Sequence, residues 1–235
     1  MVKFLVLALF YGHHPELARR CGASLRALWN TGRVDLRIGL NEVSPATRAV
    51  LDELLPGVDR EDADPQIYKF PMMRRLLDGY SGDATHMMWF DDDSCLLPGV
   101  DVRGWLDAVS RRAETAASMG SVYEQPLTAA QRAWIAQQPW ATGREVPESV
   151  QFNTGGWLVV RLDLIRRFGW PEPALLHFGG DLTLGALLHQ QGLVPEQFRV
   201  GLAINADANL LESQAARRGL QQRHGGDVWG HAPGG

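Results

Sequence analysis

The sequence predicts an α/β fold built on a parallel sheet, and three observations carry that expectation. The chain opens as strand, helix, strand, helix. Residues 87–90 then form an apolar run that ends in Asp91, Asp92 and Asp93. A later apolar strand, 151–160, carries paired glycines before its second half. Alternation of strand and helix feeds parallel strands, and in an open sheet of that kind ligands bind at the carboxyl ends of the strands.

In order, Phe4 to Tyr11 is a fully apolar strand, broken by Gly12, and Pro15-Glu16 opens a helix as expected of a first helical turn. Leu17, Cys21, Leu25 and Leu28 recur on one face of that helix, and Asn30-Thr-Gly32 closes it. Val34, Leu36, Ile38 and Leu40 alternate with Asp35, Arg37 and Gly39 as a second strand, after which Ser44-Pro45 reads as cap and first turn of a helix reaching Leu55. Residues 58–65 read as an acidic loop. Tyr68-Lys-Phe-Pro71 leads into a short helix that turns Met72, Met73, Leu76 and Leu77 inward. After the acids the spacing predicts a helix over 102–113 and a strand over 119–123. Residues 124–148, with three prolines, Trp134 and Trp140, read as a loop-rich flap over a site, whose tryptophans either stack on a ligand or anchor the flap. A helix from Leu162 to Phe168 ends at Gly169. Another begins after His177-Phe-Gly-Gly and stops at Gly192, and 197–204 reads as a last strand.

Composition narrows the function. A chain of 235 residues with 45% hydrophobic and 21% charged residues is an ordinary globular protein, read as one domain over 1–235. No apolar run approaches the roughly 20 residues that span a bilayer. Phe4 to Phe10 imitates a signal-peptide core, but His13, His14 and Pro15 follow where small residues should stand. Two cysteines without metal spacing point to a reducing, cytoplasmic setting. A net charge of −4 offers no general attraction for nucleic acid.

The chemistry centres on the acids. On an extended backbone Asp91 and Asp93 share a side, so two hard oxygen ligands converge on one divalent cation, while Asp92 points away. A solvated acidic turn would carry the same letters. Lys69 and Arg74 stand near a helix start, where unpaired N–H groups and a basic side chain hold phosphate, with solvated surface charge as the plain reading. Asp181 sits at a helix N-terminus, as a cap or as a carboxylate facing a ligand across Gly179 and Gly180. The C-terminal stretch carries Arg217, Arg218, Arg223, His224 and His231.

Taken together, the βαβ opening, Asp91-Asp92-Asp93, Phe152-Asn-Thr-Gly-Gly156 and Gly179-Gly-Asp181 resemble the GT-A glycosyltransferases, most nearly the family 2 type, in the order that family shows them. The resemblance implies a Rossmann-like single domain with a mixed, mainly parallel sheet flanked by helices. Residues 1–100 would form the nucleotide-sugar half, and 101–235 the acceptor-side half and tail. It implies a nucleotide-sugar donor, commonly a UDP-sugar, with Mn²⁺ or Mg²⁺ bound through Asp91, Asp93 and a C-terminal histidine, His224 ahead of His231. Phe10, Tyr11, Gly12, Asn41 and Glu42 would surround the nucleoside, with Lys69, Arg74, Asp91 and Asp92 on the rest of the donor. Gly155, Gly156 and Trp157 would meet the acceptor, a hydroxyl of a glycan, a small molecule or a modified DNA base, and Asp181 would be the base of an inverting transfer. The sequence departs from the family at Gly180-Asp181, where Glu-Asp is common, so one carboxylate carries that role. Two other classes fit the sequence: a DNA-base glycosyltransferase of the kind some phages use, favoured by the C-terminal arginines, and a nucleotide-binding module without turnover.

Overall fold

The structure is a computed structural model, and it describes residues 2–204. The opening strand β1 (Phe4–Gly12) is followed by α1 (Pro15–Trp29), β2 (Val34–Val43) and α2 (Pro45–Leu54), the last capped by the Ser44 hydroxyl on the Thr47 amide. Next come β3 (Asp59–Ala63), α3 (Lys69–Asp78) and β4 (His86–Asp91), then the short β5 (Cys95–Leu96) and α4 (Val102–Ala113). The second half holds β6 (Ser118–Pro126), α5 (Ala129–Ala136), β7 (Ser149–Arg161), α6 (Leu162–Phe168), α7 (Gly180–Gln190), β8 (Glu196–Gln197) and β9 (Leu202–Ala203).

Among the described residues seven strands form one sheet in the order β3-β2-β1-β4-β7-β6-β8. The β1–β2, β1–β4 and β2–β3 pairs are parallel, whereas β7 runs antiparallel to both β4 and β6, so the sheet is mixed. Strand alternation sorts the apolar residues onto two faces. Leu5, Leu7, Leu9, Met87 and Trp89 face one core with Met72, Met73, Ile165 and Leu184. Phe4, Val6, Ala8, Phe10, Met88 and Phe90 face the other with Leu25, Leu51 and Val109. Helices α3, α6 and α7 cover the first face, and α1, α2 and α4 the second.

Two sequence expectations need correction, and a third, left between two alternatives, is decided. Residues 59–63 are an edge strand and not a loop; with Asp, Arg, Glu, Asp and Ala it has no apolar alternation to read, and it is held by parallel pairing to β2 and by ion pairs. The stretch 197–204 is two short strands and not one, separated by a turn at Gly201 with φ +74°. The 124–148 flap is anchored by its tryptophans. Trp140 is 3% exposed, its indole N–H donates to Glu172 at 2.7 Å, and Trp134 packs on it edge-on. Thr142 and the Arg144 carbonyl bind Gln190 at the far end of α7, so most of this segment braces that helix, and Gln125 reaches the cleft described next.

Candidate functional site

The strand β7 brings Gly155 and Gly156 to the sheet edge where β4 ends, because its register pairs Phe90 with Trp157. The N-termini of α3 and α7 meet there. The Phe70 amide donates to the Leu176 carbonyl at 3.0 Å, and the Phe70 ring fills the space that a side chain on Gly180 would take. A cleft of about 250 Å³ opens between these elements, with Tyr11, Lys69, Asp91, Gly155, His177 and Asp181 in its wall.

The acids at the end of β4 do not stay on one extended side. A turn closes over Asp92 and Asp93, with the Ser94 amide donating to the Asp91 carbonyl at 3.0 Å. Asp91 keeps the strand alternation and falls on the Trp89 face, where its Oδ1 accepts from the Trp89 indole at 2.7 Å. Lys69, only 7% exposed, brings its ammonium to 2.7 Å from Oδ1 and 2.9 Å from Oδ2 of Asp91, and donates to the Gly155 carbonyl at 3.0 Å. Burial raises the pKa of the Cys21 thiol on α1, and the nearby Asp92, Asp93 and Asp91 carboxylates add to it.

Asp181 enters the cleft from the first turn of α7. It is not the cap, since Gly179 holds that place with φ +82°, and its Oδ1 accepts from the Leu182 amide at 3.0 Å. Burial pushes its carboxyl above the ordinary range, opposed by the Lys69 ammonium and by the Leu182 and Gly155 amides. A carboxylate with this lift is a better proton acceptor near neutral pH than an exposed one. Gly155 is the spacer: a Cβ there would stand 2.9 Å from Lys69 Nζ and 3.9 Å from Asp181 Oδ2.

Toward β2, Asn41 is fully buried; its Oδ1 accepts from the Ile67 amide at 2.8 Å, and its Nδ2 has no protein partner among the described residues. It pairs in register with Tyr11, and Glu42 beside it has φ +57°, a conformation uncommon outside glycine. The Gly12 carbonyl accepts from the Ser44 amide and the Thr47 hydroxyl, tying the end of β1 to α2.

Several sequence assignments change. Lys69 does open α3, but it is buried on Asp91 and is not a solvated cation. Asp91 does not converge with Asp93 on a cation, because an ammonium occupies both its oxygens and the chain turns between the two. Arg74 is on another face of α3, lining a separate cavity with Tyr80, Arg166 and Trp170. Trp157 is fully buried against Phe90, Trp105 and Phe198, and Phe10 is 1% exposed in the same core, so neither side chain lines the cleft. His224 and His231 lie outside the described residues. The cleft adds His177 and Trp170, which carried no signal beyond standing before Gly179-Gly180-Asp181. His177 faces the Tyr11 ring at 6.3 Å, and the Trp170 indole donates to the Gly180 carbonyl at 3.0 Å.

Solved structures share this architecture. One is the mannosyltransferase PcManGT from Pyrobaculum calidifontis in complex with GDP-Man and Mn²⁺: TM-score 0.53, 13% identity, 83% of this chain and 54% of that one covered. Another is S. aureus TarS 1-349, with TM-score 0.50, 10% identity and coverage of 80% of this chain and 56% of that one. The fold is that of the GT-A glycosyltransferases. This chain spans little more than half the length of either GT-A neighbour. No protein-family model matches the sequence, and no curated protein matches it.

The described residues hold no cluster of three or more histidine, cysteine or acidic side chains that would cage a metal. With Asp91 committed to Lys69, they offer Asp92 and Asp93. That suits Mg²⁺ or Mn²⁺ only in the manner of nucleotide sites, where one or two carboxylates bind and phosphate oxygens complete the shell. No helix among the described residues is long and apolar enough to cross a membrane.

Proposed function

We propose that this chain is a metal-dependent glycosyltransferase that moves a sugar from a nucleotide-sugar donor, in the first instance a UDP-sugar, to an acceptor hydroxyl with inversion. The observation that carries the reading is Asp181. It is a carboxylate in a cleft at the carboxyl edge of a GT-A sheet, lifted in pKa by burial and facing the paired glycines of β7.

In this reading the nucleoside lies over the ends of β1 and β2, against Tyr11 and Gly12, with Glu42 beside it and Asn41 buried beneath, holding the Ile67 amide. The diphosphate lies toward Asp92 and Asp93, whose carboxylates would hold the cation together with phosphate oxygens. A bound Mg²⁺ or Mn²⁺ supplies Lewis-acid neutralisation of charge on the departing diphosphate. Gly155 and Gly156 let the acceptor approach the β7 main chain. Asp181 takes the proton of the acceptor hydroxyl as that oxygen bonds to the anomeric carbon, and the bond from that carbon to the diphosphate oxygen breaks on the opposite face.

A panel of nucleotide sugars with Mn²⁺, scored by thermal shift and then by NMR of the product, tests the proposal. The expected result is one stabilising donor and a product of inverted anomeric configuration. Retention of the donor's configuration would remove the general-base role from Asp181.

A further inference from the structure

We infer that Lys69 is the positioning residue of this site: its ammonium, fixed on Asp91 and the Gly155 carbonyl, is the standing positive charge that keeps Asp181 ready to accept a proton. This deepens the proposed reaction and rests on Asp181 being its base. A lysine near a diphosphate site would ordinarily be read as a donor ligand, but this one is spent. It touches both oxygens of Asp91 and a main-chain carbonyl, and the Trp89 ring lies 5.4 Å beneath it. A flexible four-carbon stem tied at three points does not swing out to follow a substrate.

The same ammonium is within reach of Asp181 electrostatically and not by direct contact. The point where a Cβ would stand on Gly155 has Lys69 Nζ and Asp181 Oδ2 both within 4 Å. Distance matters to the chemistry. A direct ion pair would quench the carboxylate as a base, and loss of every opposing charge would raise its pKa further. An ammonium already half-neutralised by Asp91, one glycine away, holds the group between those limits. Burial raises the Asp181 pKa and Lys69 is the foremost opposing cause. The other titratable groups in the cleft wall are Tyr11 from β1, Asp91 from β4 and His177 before α7, while β7 presents none.

The arrangement makes a prediction with two opposite signs. Removing the lysine charge must raise the Asp181 titration midpoint. Removing the Asp91 charge frees the ammonium's field and must lower it. General disturbance of the cleft has no reason to give that order.

The experiment is ¹³C NMR of carboxyl-labelled aspartate in the full chain without substrate, with Asp181 assigned from the resonance lost in Asp181→Asn. Expected midpoints rise in Lys69→Met, fall in Asp91→Asn and stay near wild type in Lys69→Arg. Because Lys69→Met strands a buried carboxylate and risks unfolding, the double variant Lys69→Met/Asp91→Asn, which removes the pair together, must also show the rise. Running the series in His177→Gln keeps the imidazole out of the curve. An unmoved midpoint in the double variant, or a rise in Asp91→Asn, overturns the inference.

This readout needs no turnover, so a failure of the proposed reaction is seen separately, as absence of any sugar transfer across the donor panel. In an active enzyme, Lys69→Met is expected to lower kcat and move the acid limb of its pH profile upward with donor KM unchanged. A raised donor KM with the limb unmoved would make Lys69 a donor ligand instead.

Discussion

Asp181 links the two consequences of burying a carboxylate. A general base contributes about 10²–10⁴-fold, so under the proposed transfer Asp181→Asn is expected to lower kcat by that factor with donor KM nearly unchanged, read from initial rates. The acid limb of kcat should lie above the range of an exposed carboxylate, since the ionised form is the active one and its pKa is raised. Stability runs the other way. With the folded-state pKa above the unfolded one, the native state holds the extra proton between the two values. Stability therefore falls as pH rises through that window, which opens near 3.8, and the cost persists above it. Asp181→Asn should remove that slope, and its Tm at pH 8 should be no lower than wild type. A drop of the size seen on losing a helix cap would contradict the structure, in which Gly179 is the cap. Gly155 is the matching test at the neighbouring position. A methyl group there meets Lys69 Nζ, and with the lysine tied to Asp91 the ammonium must shift. Gly155→Ala is expected to cut kcat about 10–100-fold, with a circular-dichroism spectrum like wild type.

At the level of elements, legibility followed hydrophobic burial. The strands β1, β4 and β7 and the helices α1, α4 and α7 were readable because each buries an apolar face that imprints a period on the sequence. The short β3 left no such imprint. Its register to β2 comes from main-chain bonds and from Arg37, which is buried at 6% exposure and donates to Asp59 at 2.6 Å, to Glu61 at 3.3 Å and to the Leu76 carbonyl of α3. Arg37→Met would leave that carbonyl without its donor and two like charges adjacent on β3. A loss of about 2 kcal/mol in urea unfolding is expected, whereas a loss under roughly 0.5 kcal/mol would reduce these contacts to ordinary surface pairs. Within the site the same rule applied. The end of β4 was legible as a run of acids, but their directions were not, because a turn over Asp92 and Asp93 depends on tertiary context and cancels the period of two. Lys69 reads from the sequence as a phosphate-holding or solvated cation, since nothing local to α3 shows that Asp91 and Gly155, 22 and 86 residues further along, receive it. Trp157 stands beside the paired glycines yet turns into the core, as the alternation of β7 requires.

For the whole molecule, the parallel half, β1 to β4, presents its strand ends to one edge, and the antiparallel β7 delivers the glycines to that edge from the other direction. Under the proposed function the two halves would therefore bind separate ligands. At the strand ends of the first half stand Tyr11 and the carboxylates Asp92 and Asp93, a set that among the described residues is incomplete for a cation without phosphate oxygens. Metal and nucleotide should consequently bind as one unit. A nucleoside diphosphate with Mn²⁺, present at about a hundred times the joint Kd, is expected to stabilise the protein by roughly 2.7 kcal/mol, or roughly 5–10 °C in Tm for a domain of this size. Either component alone should give a small part of that shift, and EDTA should abolish it. Asp93→Ala should lose the joint shift, whereas Asp181→Asn should keep it, because Asp181 lies on the acceptor side. Scanning calorimetry over UDP and GDP with and without Mn²⁺ makes the measurement. A full shift with nucleotide alone, unchanged by EDTA, would detach the acidic turn from the donor and leave the cleft at Asp181 without the metal-bound diphosphate that the transfer requires.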